Sequence, residues 1–220
     1  MIEEISTISL KNGIATVNCY LLKLADGFIL VDTGFTKSRK VLEKKLTGAG
    51  CEPGNLHLIV VTHGDSDHTG NCRYIRDTFK TKIAMHEDDV GMAEKGDMFW
   101  NRNIKNPLFK FLGNMLFKLD ASDRFTPDIL LKDEDDLNTY GLDAKVLTIE
   151  GHSKGSIALL TKEGDLFCGD FFENGKKTKV NAIMPDKAAA AKSLEKLQKF
   201  PVRTVFPGHG NVFRMDEFNN

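Results

Sequence analysis

The stretch "VVTHGDSDHTGN", residues 60–71, gathers His63, Asp65, Asp67 and His68 into six consecutive positions directly behind an apolar run. A polar turn needs one or two such side chains to cap the helix that follows, and Ser66 or Asp67 would suffice for that. Four residues of metal-ligating type exceed what capping requires, so the stretch reads as half of a metal site at the carboxyl end of a strand.

The surrounding pattern supplies that strand. "LHLIVVT" reads as a buried strand, "NCRYIRDTFK" as a helix and "KIAMHE" as a short strand. Upstream, "IATVNCYLLKLADGFILVDTG" holds two strand-like runs broken by Asp26-Gly27, a hairpin signal, and "KSRKVLEKKLTGAG" spaces Val41, Leu42 and Leu46 as a helix. Downstream, "DILL", "DAKVLTIE" and "SIALLTKEGDLFCGD" read as strands, "DKAAAAKSLEKLQKF" as a helix and "TVFPGHG" as a final strand. Helices between strands in both halves predict an α/β (α+β) chain with sheets inside and helices outside. Residues 99–117, with Phe99, Trp100, Ile104, Leu108, Phe109, Leu112, Met115, Leu116 and Phe117, form an aromatic-rich helical segment within an insertion at about 92–120. It serves either as core or as a lid over the site.

Three more residues of the same chemistry stand where strands run into glycine-containing turns. His152 lies in "IEGHSKGS", Asp170 ends "DLFCGD" and His209 lies in "VFPGHG". Strand ends carrying such side chains converge on one edge of a sheet in open α/β architectures. Taken singly, each would be an ordinary histidine or strand-end aspartate.

The motifs "THGDSDHTGN", "EGHSKGS", "FCGD" and "PGHG", in this order and behind the "VNCYLLKLADGFILVDTG" hairpin, resemble the metallo-β-lactamase superfamily over nearly the whole chain. The resemblance implies a single-domain four-layer αβ/βα sandwich. It also implies two divalent metal ions, zinc first with manganese or iron as alternatives. His63, Asp65 and His152 would hold one, Asp67, His68 and His209 the other, and Asp170 would bridge them. Asp67 would orient a metal-bound hydroxide and carry a proton, and Asp32 would steady a ligand rather than bind. The family's usual H-x-H-x-D-H is here H-x-D-x-D-H, because Asp65 replaces a histidine. Its third carboxylate makes the centre less positive than the usual one, which favours harder ions.

The remaining candidates are assigned plainer roles. His57 and His86 have no partner motif, Cys72 and Cys168 suit packing, and Lys176, Lys177 and Lys179 suit a solvated loop. The formal net charge of −1 excludes a nucleic-acid surface held by bulk charge, and no apolar stretch approaches the length of a membrane span. The scattered Cys19, Cys51, Cys72 and Cys168, with no export signal at the start, predict reduced thiols and a cytosolic location. The function expected is hydrolysis of a small ester, thioester or lactone. No added C-terminal domain of the glutathione-thioester type is expected, since ten residues follow "PGHG". Phosphodiester hydrolysis, a non-catalytic metal module and iron-dependent redox chemistry are the alternatives. The partner is a small molecule, not nucleic acid or membrane, and homo-oligomerisation is left open.

Overall fold

Two sheets carry the molecule, and the order of their strands explains where the motifs meet. A computed structural model describes residues 1–13, 15–102, 108, 111, 113, 117–175 and 177–218. The first sheet runs in sequence order: β1 (Ile2–Asn12), β2 (Ala15–Leu24), β3 (Gly27–Val31), β4 (Leu56–Val60), β5 (Ile83–His86) and β6 (Ile129–Leu131). The second comprises β7 (Ala144–Thr148), β8 (Ile157–Thr161), β9 (Asp165–Asn174), β10 (Thr178–Val180), β11 (Thr204–Gly210) and β12 (Phe213–Arg214). Its path is β12-β11-β9-β8-β7, with β10 paired to β9.

Both faces of each sheet are covered, which is why the strands read as near-continuous apolar runs rather than alternating ones. Between the sheets pack Tyr20, Leu22, Ile29, Val31, Leu58 and Val60 from the first, with Val146, Leu159, Phe167 and Phe206 from the second. Residues one position along, such as Cys19, Leu21, Leu30 and Ile59, face the other way. They meet Leu42 and Leu46 of α1 (Arg39–Gly48), and Cys72, Ile75 and Phe79 of α3 (Cys72–Phe79), which follows the one-turn α2 (Ser66–Thr69). On the far side of the second sheet, Leu147, Leu166 and Cys168 meet Ala190 and Leu197 of α5 (Lys187–Leu197). Helix, sheet, sheet, helix is the order of layers, as expected. Each fully buried Leu or Phe contributes about 1.5–3 kcal/mol of transfer free energy to holding the layers together.

Two elements depart from the sequence reading. Strand β1 was not anticipated: its alternation is confined to Ile8 and Leu10, which are buried while most of its other residues are not. Strand β9 continues past Asp170 to Asn174, so Asp170 lies inside a strand rather than at its end. Strand β11 spans "TVFPGHG" as read from the sequence. The aromatic insertion falls partly outside the described residues, Ile104, Phe109, Leu112, Met115 and Leu116 among them. Helix α4 (Val90–Lys95) precedes it, Phe99 is buried, and Trp100, Leu108, Phe111 and Phe117 are exposed. No helix among the described residues is long and apolar enough to cross a membrane.

Candidate metal centre

Strands β3, β4 and β5 are parallel, so their carboxyl ends lie on one edge, and each delivers part of the site. Thr33 takes the amide of Asn71 on its hydroxyl and passes its own hydroxyl proton to the His68 carbonyl, tying the β3 end to the "HGDSDHTGN" loop. The second sheet joins at the same edge: Ile157 N–H donates to the Thr62 carbonyl, and the Tyr20 hydroxyl and Asn18 amide donate to the Pro207 carbonyl at 2.6 and 3.2 Å. Neither Asp65, which precedes α2, nor Asn71, which precedes α3, caps its helix through a side chain, so the motif's polar groups are not spent on capping.

The registers of β9 and β11 shift beside Gly169 and Pro207. Gly169 has φ +49°, and a Cβ there would stand 2.4 Å from Thr62 Oγ1 and 3.2 Å from His63 Nδ1. Only glycine allows this left-handed kink under so close a neighbour. The kink also breaks the strand's alternation. Cys168 turns into the apolar layer beneath α5 while Asp170 turns into the site.

The side chains named from the sequence come together here. His63, His152 and Asp170 form one cluster and Asp67, His68 and His209 a second, in each of which the potential ligand atoms lie within 4.8 Å of one another. Asp170 reaches both: Oδ1 is 3.2 Å from His68 Nε2, while Oδ2 is 3.3 Å from His209 Nε2 and 3.7 Å from His152 Nε2. Asp65 Oδ2 lies 3.0 Å from His152 Nε2 and 3.6 Å from His63 Nε2. His57 and His86 stay away from the cluster; His57 faces the Tyr140 carbonyl and His86 the Asp88 amide. Of the three lysines after Asp170, Lys176 lies outside the described residues, Lys179 pairs with Glu173, and Lys177 lines a cavity of about 450 Å³ beside His209.

Each imidazole is held from behind. His68 Nδ1 is 2.8 Å from Asp32 Oδ2, His152 Nδ1 2.7 Å from the Ile183 carbonyl, and His209 Nδ1 2.6 Å from the Thr16 carbonyl. His63 Nδ1 is 3.1 Å from Thr62 Oγ1, whose own proton goes to Asp32. An acceptor at every Nδ1 keeps a proton there and turns Nε2 inward, the atom whose lone pair would meet a cation. Asp32 thus orients the His68 ring, and does so with φ +59°.

These residues fit a bound cation. His63 Nε2, His68 Nε2 and Asp170 Oδ1 are buried with no hydrogen-bond partner among the described residues, a costly state that a cation relieves. The inward atoms stand 3.2–3.9 Å apart in their closest His–Asp pairs across the Asp67, His68, His209 and Asp170 set. Donors at about 2.0–2.2 Å from one tetrahedral ion have similar mutual spacing. The charge pattern agrees. Burial alone would depress His68, but Asp170, Asp32 and Asp67 outweigh it and push its pKa well up. Burial likewise opposes the shift of His209, which its hydrogen bonds to Asp170 and Asp67 raise to about 10. Against a burial effect that would raise them, Asp170 and Asp67 are held below the usual carboxylate range, by His68 first. In the metal-free protein these carboxylates favour the protonated forms of His68 and His209, and that proton is the charge a metal would replace.

Two functional residues went unrecognised in the sequence. Asp89, fully buried, accepts from Gly64 N–H at 2.9 Å, Ser153 Oγ at 2.6 Å, Gly155 N–H at 3.0 Å and Asn101 Nδ2 at 2.7 Å. It clasps the loop of His63 to the loop of His152. Arg102, from the aromatic insertion, places Nη1 2.8 Å from Asp65 Oδ1 and donates through Nε to the His152 carbonyl at 3.1 Å. No spacing marks either residue, although an extra buried carboxylate at Asp65 calls for a cation somewhere in the chain.

Comparison with known proteins places the chain in a family. The family model described as "Metallo-beta-lactamase superfamily" matches residues 13–209. The chain is 29% identical over 201 residues to a Beta-lactamase-like protein 2 homolog of Drosophila melanogaster, covering 89% of this chain and 59% of that protein. It is 28% identical over 215 residues to the human acyl-coenzyme A thioesterase MBLAC2, covering 89% and 74%. Among solved structures, the BLEG-1 B3 metallo-beta-lactamase superposes with TM-score 0.74 at 23% identity, covering 97% of this chain and 95% of that one. TTHA1623 in a di-iron-bound form gives 0.69 at 23% identity, covering 95% of each. The two structures speak to the fold.

Proposed function

The chain belongs to the metallo-beta-lactamase superfamily, and from that premise we propose that it is a cytosolic metal-dependent hydrolase of small esters, thioesters or lactones. The observation that carries the reading is the inward-facing set of four imidazole Nε2 atoms, each with Nδ1 held from behind, around Asp170. In this reading His63, Asp65 and His152 would hold one ion and Asp67, His68 and His209 a second, with Asp170 within reach of both sets. Zinc is the first choice, and the di-iron form of a protein sharing the fold keeps iron in view. Bound divalent ions supply Lewis acidity towards a carbonyl oxygen and a water acidic enough to attack near neutral pH.

The chain's own residues do the rest. Asp67 is the most solvent-accessible carboxylate of the set, at 22% side-chain exposure against 5% for Asp65 and 9% for Asp170. It is therefore the group that orients the attacking water and hands a proton to the leaving group. Asp32 and the Thr16 and Ile183 carbonyls keep the rings from rotating as charge builds. Cavities flank both clusters: the one beside His209 carries Lys177, and another of about 360 Å³ beside His152 carries Lys154. Space on both sides suits an acyl group joined to a larger leaving group. The thioesterase activity named for the human relative supports the thioester member of the series.

The test is a panel of aryl esters, acyl thioesters, lactones and bis-aryl phosphates, assayed with protein loaded with Zn²⁺, Mn²⁺ or Fe²⁺. Turnover of acyl substrates that is lost in Asp67→Asn supports the proposal. Turnover confined to the phosphates moves the protein to phosphodiester chemistry, and metal bound without turnover makes it a non-catalytic module.

A further inference from the structure

Asp65 is the residue that departs from the family's histidine, and the fold answers it with a cation. Its carboxylate is divided between two tasks: Oδ2 faces His152 Nε2 at 3.0 Å and His63 Nε2 at 3.6 Å, while Oδ1 faces Arg102 Nη1 at 2.8 Å. Both side chains of the pair are only 5% exposed. A guanidinium so deeply buried is unfavourable unless paired, and it has not arrived by drifting in from solvent. Its Nε is fixed on the His152 carbonyl, and the preceding Asn101 is fixed on the Asp88 carbonyl at 2.6 Å and Asp89 Oδ1 at 2.7 Å. Arg102 Nη2 is buried with no hydrogen-bond partner among the described residues, so local satisfaction of donors does not explain its placement. Charge does.

We propose that Arg102 is a charge-compensating positioning residue: by pairing with the outer oxygen of Asp65 it restores the positive charge that the histidine-to-aspartate departure removes from the centre. With Asp65, Asp67 and Asp170 ionised the ligand set carries three negative charges. Arg102 returns the net to two, the value of an H-x-H-x-D-H site. The site thereby keeps a carboxylate ligand without the lowered Lewis acidity that a third uncompensated carboxylate brings. The extra-carboxylate argument for harder ions weakens accordingly.

This inference rests on the reading of the cluster as a metal centre, and the experiment separates the two. Four full-length proteins are compared, namely wild type, Asp65→His, Arg102→Gln and the double variant, by elemental analysis and by chelator competition for Zn²⁺. Wild type that takes up no metal overturns the metal-centre reading before any variant is considered. Given binding, Asp65→His alone loosens Zn²⁺, because a buried guanidinium then faces the ion without its carboxylate. Adding Arg102→Gln in that background tightens Zn²⁺ again by about tenfold or more, the effect of removing a unit charge near a doubly charged ion even at high dielectric. An unchanged affinity in that background means that Arg102 only holds Asp65 in place, and a further loss means that it is scaffold; either overturns the inference. Should Asp65→His fail to fold, Arg102→Gln alone decides: tighter Zn²⁺ binding supports charge compensation, and equal or looser binding overturns it.

Discussion

Removing the Asp89 carboxylate tests whether the metal centre depends on a clasp outside it. Four donors converge on that one group, from Gly64, Asn101, Ser153 and Gly155, at 2.6–3.0 Å. Hydrogen bonds to a charged acceptor contribute about 1.5–3 kcal/mol each, but water re-entering the hole and the relieved burial of the charge offset part of that sum. The net loss for Asp89→Ala is about 4 kcal/mol, within the range for breaking a buried charged network. At about 2–4 °C per kcal/mol for a chain of this size, the melting temperature falls by about 8–16 °C. Asp89→Asn keeps one acceptor oxygen for Gly155 and Asn101 but turns an amide towards the Gly64 N–H, so it loses about half as much. Because Asp89 bridges the His63 and His152 loops, Zn²⁺ affinity drops as well, by about 10–100-fold. The assay is thermal unfolding with and without excess Zn²⁺, followed by chelator competition on the folded variant. An Asp89→Ala protein melting within about 3 °C of wild type, with Zn²⁺ affinity unchanged, would refute the clasp.

Gly208→Ala places a Cβ 2.5 Å from Asp170 Oδ1 and 2.7 Å from His68 Cε1, so metal content measured after dialysis should fall well below that of wild type; full retention would argue against ions at this position. In metal-free protein the His209 pKa is raised from 6.5 to about 10, so the stabilisation from its Asp170 and Asp67 contacts is complete below pH 6.5 and lost as pH rises to about 10. Melting temperatures with chelator present should decline across that window, while Zn²⁺ affinity rises as protons leave the ligands; a metal-free protein that gains stability there contradicts the assignment. All four cysteines are buried and free, and burial pushes Cys51 and Cys168 up to about 12. A thiol reagent at neutral pH should therefore label the native chain slowly and the denatured chain fully, whereas rapid labelling of the native state would place a thiolate at the surface.

Local chemistry along the chain sufficed for much of this. Apolar runs with turn residues between them located the principal strands and helices, and the spacing of His63, Asp65, Asp67 and His68, with His152, Asp170 and His209 in glycine turns, named the cluster before its geometry was known. Those signals are legible because a strand end or a ligand motif is written in neighbouring residues. Strand β1 escaped because its inward face amounts to Ile8 and Leu10, too short a stripe to stand out. Asp170 proved to lie within β9 because that strand goes on pairing with β11 and β10 beyond it, contacts made by residues distant in sequence. Asp89 and Arg102 look in sequence like any surface aspartate or arginine. What distinguishes them is the sequence separation of 64 from Asp89 to Ser153 and of 50 from Arg102 to His152, which only the folded layers close. The residues of the centre are thus set by sequence, whereas its charge and the clasp that joins its loops are set by tertiary contact, because electrostatic energy depends on separation in space and not along the chain.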